Sequence, residues 1–204
     1  MELSVRPLVE EDFDDFINYW HGLSRADVER MGVAIDRMPS RAQMRTDLQR
    51  AVPIDRVGSF VLAWCINGEA IGHSSLKDIV RGDFGNIHLH MWRADLRGKG
   101  YGPPLFCLAA LDFYERFKLR RMICEPKADN PAPNHVLQRI GFPLISTRIG
   151  ASSELSTICK LNCYQIIREV AENYLCPPGF GQGAKSPTRP IQALTSSFSF
   201  PTRK

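Results

Sequence analysis

The chain has 204 residues, of which 44% are hydrophobic and 24% are charged. These fractions are typical of a folded globular protein and argue against disordered, collagen-like and membrane-embedded classes. The 26 basic and 22 acidic side chains leave a net charge of +4. This excess lies in residues 176–204, which contain Lys185, Arg189, Arg203 and Lys204 and no acid. The rest of the chain has equal numbers of basic and acidic side chains, so its charge does not predict nucleic-acid binding.

The composition divides the chain into a domain and a tail. Pro, Gly and Ser become frequent after Cys176, so we expect one domain over residues 1–175 and an irregular basic tail over 176–204. No apolar run reaches the length of a membrane span, and the segment Met1–Arg6 has no signal-peptide character. Scattered cysteines without paired zinc-site spacing predict reduced thiols, a cytoplasmic protein and no metal. They are Cys65, Cys107, Cys124, Cys159, Cys163 and Cys176.

The first third of the chain predicts a strand followed by helices. Leu3–Leu8 reads as a strand, and Asp12–Leu23 reads as an amphipathic helix. Its apolar face carries Phe13, Phe16, Ile17 and Trp20. Ser24-x-x-Asp27 and Ser40-x-x-Gln43 have the spacing of a helix N-cap, so each predicts a further helix start.

A hairpin and a strand–turn–helix unit follow. Ser59–Ile66 and Glu69–Leu76 read as strands, and Asn67-Gly68 between them is a strong hairpin signal. Ile87–Trp92 alternates like a strand. The segment from Pro103 to Phe117 reads as a helix that is opened by proline. The sequence thus predicts an α/β protein with a mixed sheet.

The glycine-rich segment Arg97-Gly98-Lys99-Gly100-Tyr101-Gly102 connects this strand to this helix. Glycine permits a tight turn, and free amides at a helix N-terminus form a cradle for an anion such as a pyrophosphate. A Walker loop would need Lys-Ser/Thr after its last glycine, and a dinucleotide fingerprint would need G-x-G-x-x-G. Neither spacing is present. On this segment alone, phosphate binding and a glycine-rich surface turn remain open.

The downstream sequence decides between them by resemblance. The segment resembles the R/Q-x-x-G-x-G/A signature of the GNAT superfamily of N-acetyltransferases, with Arg97, Gly100 and Gly102 at the defining positions. Arg120–Pro126 looks like the fifth strand of that family. The stretch from Asn130 to Gly141-Phe142 looks like its next helix and closing Gly-Phe.

The resemblance extends from Leu3 to Ile166 and is strongest to one branch of the superfamily. This branch contains ribosomal-protein N-terminal acetyltransferases and siderophore hydroxylysine acyltransferases, whose Glu-Pro appears here as Glu125-Pro126. Many of the siderophore enzymes carry an aspartate next, where this chain has Lys127. That departure weakens the hydroxylysine interpretation.

The family resemblance implies the fold and the cofactor site. The fold is a mixed, mostly antiparallel sheet that is splayed between strands four and five and flanked by helices. Phe142–Arg148 and Thr157–Ile166 form its last hairpin pair, and Ile167–Leu175 forms a terminal helix. Acetyl-CoA lies in the splay, its pantetheine on the main chain of strand four and its pyrophosphate on the glycine-rich segment. The implied contacts are Met91, Trp92, Arg93, Asn130, Asn134 and residues 97–102, with the Trp92 N–H on the thioester carbonyl.

Candidate catalytic residues also follow from the resemblance. His88 stands where related acetyltransferases carry a functional histidine, and a neutral imidazole can accept the proton of an ammonium group. His90 lies on the same face, and both also fit inward histidines satisfied by hydrogen bonds. Glu125 is a candidate base acting through water. Leu137 replaces a tyrosine that many members use to reprotonate the thiolate, and Tyr164 is a weak substitute.

We therefore expect an acetyl-CoA-dependent N-acetyltransferase that transfers the acetyl group directly to a primary amine. A small molecule is favoured over a protein N-terminus. The alternative is a catalytically silent acyl-CoA-binding sensor or scaffold. A homodimer is left open, and no membrane or nucleic-acid partner is expected. The fold would build the acceptor pocket from Trp20, His21, Trp64, His73, Arg81, Asp83 and Phe84.

Overall fold

The computed structural model describes residues 1–51 and 59–177, and these residues form one seven-stranded sheet with helices on both faces. The order across the sheet is β1-β2-β3-β4-β5-β7-β6. The neighbours pair antiparallel except β4 and β5, which are parallel. The strands are β1 (Leu3–Pro7), β2 (Ser59–Ile66), β3 (Glu69–Val80), β4 (Phe84–Met91), β5 (Arg121–Cys124), β6 (Leu144–Gly150) and β7 (Cys159–Ile166). The predicted fold class is confirmed.

The helices begin and end at the local signals that the sequence carries. They are α1 (Phe13–His21), α2 (Arg25–Met31), α3 (Arg41–Ala51), α4 (Gly102–Phe117), α5 (Pro131–Ile140) and α6 (Arg168–Leu175). The Asp27 amide donates to Ser24 Oγ at 3.1 Å and the Gln43 amide to Ser40 Oγ at 3.2 Å, so both serines cap helices. Gly141, with φ +97°, ends α5 in the left-handed region that favours glycine.

Two tight turns order the three central strands. Asn67 and Gly68 have φ of 49° and 85°, the two positive values that a type I′ hairpin turn requires. The predicted hairpin is therefore present. However, β3 continues past the predicted end at Leu76 to Val80, and a second turn leads into β4. The prediction ended the strand early because Lys77 interrupts its apolar pattern.

Both faces of the sheet are buried. Leu62 and Ala63 are neighbours in β2 and are both 0% exposed, yet they belong to different hydrophobic clusters. The larger cluster packs α4 against the sheet and includes Phe106 and Phe113. The smaller cluster packs α1 and α3 on the opposite face. Each fully buried phenylalanine contributes roughly 1.5–3 kcal/mol, so α4 anchors the fold.

The sheet is open at one end between β4 and β5. These strands pair only at Phe84–Arg121, Gly85–Met122 and Asn86–Ile123. β4 continues to Met91, whereas β5 ends at Cys124. This is the splay that the family resemblance implied, and it leaves one edge of β4 unpaired beside a gap.

The proposed tail lies almost wholly outside the described residues, which end at residue 177. Within residues 1–51 and 59–177, no helix combines the length and the apolar character needed to cross a bilayer.

Candidate active site

A cavity of about 550 Å³ occupies the gap between β4 and β5. Its wall includes the glycine-rich loop before α4, the second half of β4 and the start of α5. On the other face of the sheet it is lined by α1, α2 and residues 152–156. One continuous space thus connects a helix N-terminus to the side chains on the α1 face of the sheet.

The main chain of β4 presents Met91, not Trp92, to this gap. The Trp92 amide donates to the Ile71 carbonyl of β3 at 2.9 Å, so it points away from the gap. Main-chain groups of successive strand residues point to opposite edges. Met91 therefore directs its N–H and C=O into the gap, and its carbonyl accepts a hydrogen bond from Arg97 Nη2 at 3.0 Å. The Trp92 N–H therefore does not face the gap, where the prediction had placed it.

Arg93 does not reach the cavity either. Its amide donates to the Ile71 carbonyl at 3.3 Å. Its exposed guanidinium forms ion pairs with Glu69 and Asp95, each at 3.0 Å. Of the three predicted β4 contacts, only Met91 lines the cavity.

The glycine-rich loop forms the predicted cradle shape. Gly98 and Gly100 have φ of 75° and 88°, a region that side chains with a Cβ rarely adopt. Within the described residues, the amides of residues 98–102 donate to no main-chain carbonyl outside the helix. Five loop residues line the cavity, whereas Lys99 points elsewhere. The five are Arg97, Gly98, Gly100, Tyr101 and Gly102.

The loop leads directly into the positive end of α4. A Cβ on Gly102 would lie 3.2 Å from Val136 Cγ2 of α5, so the two helices approach closely at this point. Pro103 occupies the first turn, where the missing N–H removes no intrahelical hydrogen bond. Free amides and the dipole of a 16-residue helix therefore converge on the cavity.

The two predicted asparagines have different roles. Asn130 is the N-cap residue of α5 and lines the cavity, and its Oδ1 accepts from Arg30 Nη1 at 3.0 Å. Asn134 lies outside the cavity wall. Its Nδ2 donates to the carbonyls of Lys127 and Asn130 at 2.9 and 2.7 Å. Its Oδ1 accepts from Asn162, so this side chain holds the start of α5 in place.

Tyr164 does not approach the reaction centre. It is 0% exposed and donates its hydroxyl to Asn134 Oδ1 at 3.0 Å. The same hydroxyl accepts from Gln138 Nε2 at 3.2 Å. Leu137 is also 0% exposed and packs in the larger core. Neither residue supplies a hydroxyl to the cavity.

His90 belongs to an aromatic cluster below α1. It pairs across the strands with His73, and the two rings stack with centroids 4.8 Å apart. Trp92 Nε1 donates to His73 Nδ1 at 2.7 Å, and the Tyr19 hydroxyl lies 3.2 Å from His90 Nδ1. Burial lowers the pKa of His90 to about 3 and that of His73 well below its ordinary value. Two neutral rings can stack without charge repulsion.

His88 differs from His90 in having a ring nitrogen without a hydrogen-bond partner among the described residues. It lines the cavity, and its Nε2 is buried without a hydrogen-bond partner among the described residues. Burial lowers the pKa of His88 to about 3, with further contributions from Lys77 and His90. The imidazole is therefore uncharged at neutral pH, with a free nitrogen next to the cavity.

Glu125 is engaged in an ion pair. It is 5% exposed, and its two oxygens accept from Arg148 Nε and Nη2, both at 2.6 Å. This bidentate geometry holds the end of β5 against β6. Glu125 borders the cavity, but both of its oxygens are committed to Arg148. The geometry therefore favours a structural role over the predicted basic one.

Main-chain hydrogen bonds join two segments of the cavity wall on the α1 face. Residues 32–34, which follow α2, meet residues 155–157, which precede β7, and we call this contact the seam. The Ala34 amide donates to the Leu155 carbonyl and the Thr157 amide to the Gly32 carbonyl, both at 2.8 Å. Val33 and Ser156 form an antiparallel bridge. Val33, Leu155 and Ser156 of the seam line the same cavity as His88 and His90.

The predicted acceptor pocket is only partly correct. Trp20 and Trp64 line the cavity. The other predicted members do not, and they are His21, His73, Arg81, Asp83 and Phe84. The cavity residues that were missed include Tyr19, Arg30 and Lys77. Tyr19 and Arg30 could have been found from the family's use of the first two helices, but Lys77 lay beyond the predicted end of β3.

No described cluster of histidine, cysteine or acidic side chains has the geometry to hold a metal ion. This search extends over residues 1–51 and 59–177 alone.

Comparison with known proteins identifies the family. The family model described as "Acetyltransferase (GNAT) domain" matches residues 2–143, well over half of the chain. The splayed sheet and its glycine-rich loop are thus those of an acyltransferase. The protein belongs to the GNAT acetyltransferase family, and the family prediction is confirmed. No curated protein matches the chain by sequence.

Solved structures share the fold at low identity. Spermidine N-acetyltransferase from Vibrio cholerae, in complex with CoA and spermine, is 14% identical with a TM-score of 0.66 over 84% of this chain and 98% of that one. Aminoglycoside acetyltransferase AAC(6')-Ib, in complex with coenzyme A, is 15% identical with a TM-score of 0.65 over 84% and 98%. The ribosomal L7/L12 alpha-N-protein acetyltransferase RimL, in complex with coenzyme A, is 18% identical with a TM-score of 0.67 over 82% and 95%.

Proposed function

We propose that this acetyltransferase transfers the acetyl group of acetyl-CoA directly to the primary amine of a small molecule. The observation that carries the proposal is the single cavity between β4 and β5. It joins the free amides of residues 98–102 to the unpartnered His88 Nε2. Two of the similar structures support this assignment. One is a spermidine N-acetyltransferase with CoA and spermine, and the other is an aminoglycoside acetyltransferase with coenzyme A.

The chain offers separate groups for separate parts of the donor. The loop amides and the α4 N-terminus suit the pyrophosphate. The free edge of β4 suits the amide-rich pantetheine arm, which can pair with it like an added strand. Asn130 lines the cavity between these two regions. In this assignment Met91 N–H takes the role first given to Trp92 and polarises the thioester carbonyl.

The reaction is an addition followed by an elimination. The amine nitrogen attacks the thioester carbon, the N–C bond forms and the carbonyl oxygen takes the negative charge. Met91 N–H donates to this oxygen, which stabilises it. The C–S bond then breaks, giving the amide and the CoA thiolate. The amine loses one proton and the CoA thiolate gains one, so the reaction releases no net proton.

His88 is assigned to the proton that the amine loses. Its imidazole is uncharged at neutral pH, so one ring nitrogen can accept a proton, and its Nε2 beside the cavity has no partner among the described residues. Its low pKa makes it a weak base, so it orients the amine and relays the proton rather than storing it. His90, held by Tyr19, positions the acceptor next to it.

Direct transfer fits the thiols near the site. Cys124 lines the cavity at the end of β5. Burial raises the pKa of the Cys124 thiol, and the negative charge of Glu125 raises it further. The thiol therefore stays protonated at neutral pH. A protonated thiol is a poor acyl carrier, which favours attack by the amine itself.

The seam favours a small acceptor over a protein N-terminus. An extended peptide needs an open path to the proposed base, whereas residues 32–34 and 155–157, three of which line the cavity, are joined by main-chain hydrogen bonds. A small amine needs a closed pocket of limited volume.

We also propose a reducing compartment, the cytoplasm, because all six cysteines are free and most are buried. The number of subunits is left open between a monomer and a homodimer.

Calorimetry with acetyl-CoA, followed by thiol release over a panel of amines and N-terminal peptides, tests the proposal. We expect acetyl-CoA binding and thiol release with small amines only. Binding without release on any acceptor would identify the silent sensor instead. Release with peptides alone would overturn the small-molecule assignment.

A further inference from the structure

We propose that the amine acceptor also carries a carboxylate, and that Lys77 recognises this carboxylate. The inference rests on the function proposed above, because it names the class of amine that this site would accept.

The charge of the cavity wall argues against a cationic second group. Five cations line the cavity, namely Arg30, Lys77, Arg97, Lys127 and Arg139. Glu125 is the only carboxylate that lines it among the described residues, and Arg148 already binds both of its oxygens. A polyamine would therefore place its second ammonium group in a wall without a counter-charge.

Lys77 is the uncompensated cation on the acceptor side. Arg30 forms an ion pair with Asp27 at 2.8 Å, and Lys127 forms one with Asp129 at 3.2 Å. Arg97 and Arg139 lie with the glycine-rich loop and α5, on the donor side. The ammonium group of Lys77 makes no ion pair with any residue of the described ranges.

The sheet places Lys77 at a suitable distance from the proposed base. Ser75 is the cross-strand partner of His88, and Lys77 follows two positions later on the same face. At about 3.3 Å per residue, the two rows lie roughly 7 Å apart along the strand. An amine at His88 and an anionic group at Lys77 can thus belong to one short molecule.

The electrostatics of Lys77 also favour an anion. Burial lowers the pKa of Lys77, whereas Glu154 and Asp78 raise it. A partly desolvated ammonium group gains more from a contacting carboxylate than an exposed one does. After burial, the positive charge of Lys77 is the largest cause of the lowered pKa of His88. A bound carboxylate would offset that charge and make His88 a stronger base when the correct acceptor is present.

Matched acceptors test the inference. With saturating acetyl-CoA, we would compare 4-aminobutanoate, 4-aminobutanamide and 1,4-diaminobutane, which differ only in the group at the far end. Phenylalanine, phenylalaninamide and phenethylamine give a second series for the aromatic wall. We expect kcat/KM to be about tenfold or more higher for a carboxylate than for its amide, the size of a charge-assisted hydrogen bond.

The variants Lys77→Met and Lys160→Met separate recognition from general effects. Lys160 is an exposed strand lysine outside the cavity. Lys77→Met should remove the preference for carboxylates, raise turnover of the amides because His88 loses a neighbouring positive charge, and leave the affinity for acetyl-CoA within twofold. Lys160→Met should leave all three unchanged. Lys77→Glu should shift the preference towards the diamine, which gives a second readout if one variant folds poorly.

The outcomes distinguish the two proposals. If the wild-type protein does not bind acetyl-CoA, the proposed function itself is contradicted. Acetyl-CoA binding with equal use of acids, amides and diamines would overturn the role of Lys77 and leave the transferase intact. If no acceptor turns over, thermal shifts of the CoA complex with the same panel decide. Equal shifts for all three groups then overturn the inference.

Discussion

At the residue scale, His88 and His90 differ in what surrounds their nitrogens. His90 Nδ1 lies 3.2 Å from the Tyr19 hydroxyl and its ring is stacked on His73. His88 Nε2 has no partner within the described residues. Both rings lie on the predicted face of β4, but no sequence pattern shows which nitrogen is free. The assignment of His88 as the base depends on that difference.

Replacing His88 by Asn should lower kcat about 100-fold or more, the low end of general-base contributions. The affinity for acetyl-CoA should stay within twofold, because the donor contacts lie elsewhere. Since the pKa of His88 is about 3 in the folded protein, we expect no inflection near pH 6.5 in the wild-type kcat/KM profile. Steady-state kinetics from pH 6 to 9 measure this. His21→Asn, outside the cavity, is the control, and an unchanged kcat would make His88 a packing residue.

The same lowered pKa values predict acid sensitivity. The unfolded chain binds protons at His88 and His90 near pH 6.5, whereas the native protein binds them near pH 3. The free energy of unfolding should therefore fall as the pH drops from about 6.5 towards 3, by up to about 1.4 kcal/mol per pH unit for each histidine. Urea denaturation at pH 4.5, 5.5 and 6.5 gives this slope. His90→Phe should make it shallower, and an identical slope would contradict the buried neutral state.

At the element scale, the glycine-rich loop and α4 form one anion-binding unit. Gly100 has φ +88°, and a Cβ there would meet no atom within 4 Å. The position is therefore strained for other residues but has room for a side chain. That side chain would project next to the amides proposed to hold the pyrophosphate.

Gly100→Val should weaken acetyl-CoA binding by about tenfold or more, at a stability cost of roughly 1–2 kcal/mol from the left-handed conformation. Gly82 is a matched control, because it has φ +81°, equally open space and no place in the cavity. Gly82→Val should carry a similar stability cost with unchanged affinity. Calorimetry and thermal unfolding measure both quantities. Equal affinity in the two variants would remove the loop from the donor site.

The sequence predicted the elements better than their ends. Asn67-Gly68 determines a hairpin by backbone geometry, and Ser24 and Ser40 cap helices through their hydroxyls. Such local signals need no tertiary information. The extension of β3 through Lys77 does need it, because pairing with β4 holds a polar residue in the strand. The direction of the Trp92 amide also depends on how β4 pairs with β3, so the sequence alone did not predict it.

At the scale of the whole molecule, the described residues that line the cavity lie between Tyr19 and Ser156. The four basic residues of the tail carry the whole net charge of +4. The described cavity residues and the charge excess therefore occupy different parts of the chain.

Removal of residues 178–204 should leave the affinity for acetyl-CoA and kcat within twofold. The truncated protein should also lose any salt-dependent attraction to polyanions, because its formal net charge falls from +4 to zero. Enzyme assays and heparin retention at two salt concentrations measure these effects. A large loss of activity would show that the tail contributes to the site.

The seam has an evolutionary consequence. Its contacts at Val33, Ala34 and Thr157 depend mainly on main-chain atoms. Substitution of side chains in residues 32–34 and 155–157 can therefore remodel the pocket without breaking them. A duplicated copy of this gene could change its preferred amine by a few point mutations while keeping this main-chain contact. The backbone provides the contact, and the side chains around it remain free to diverge.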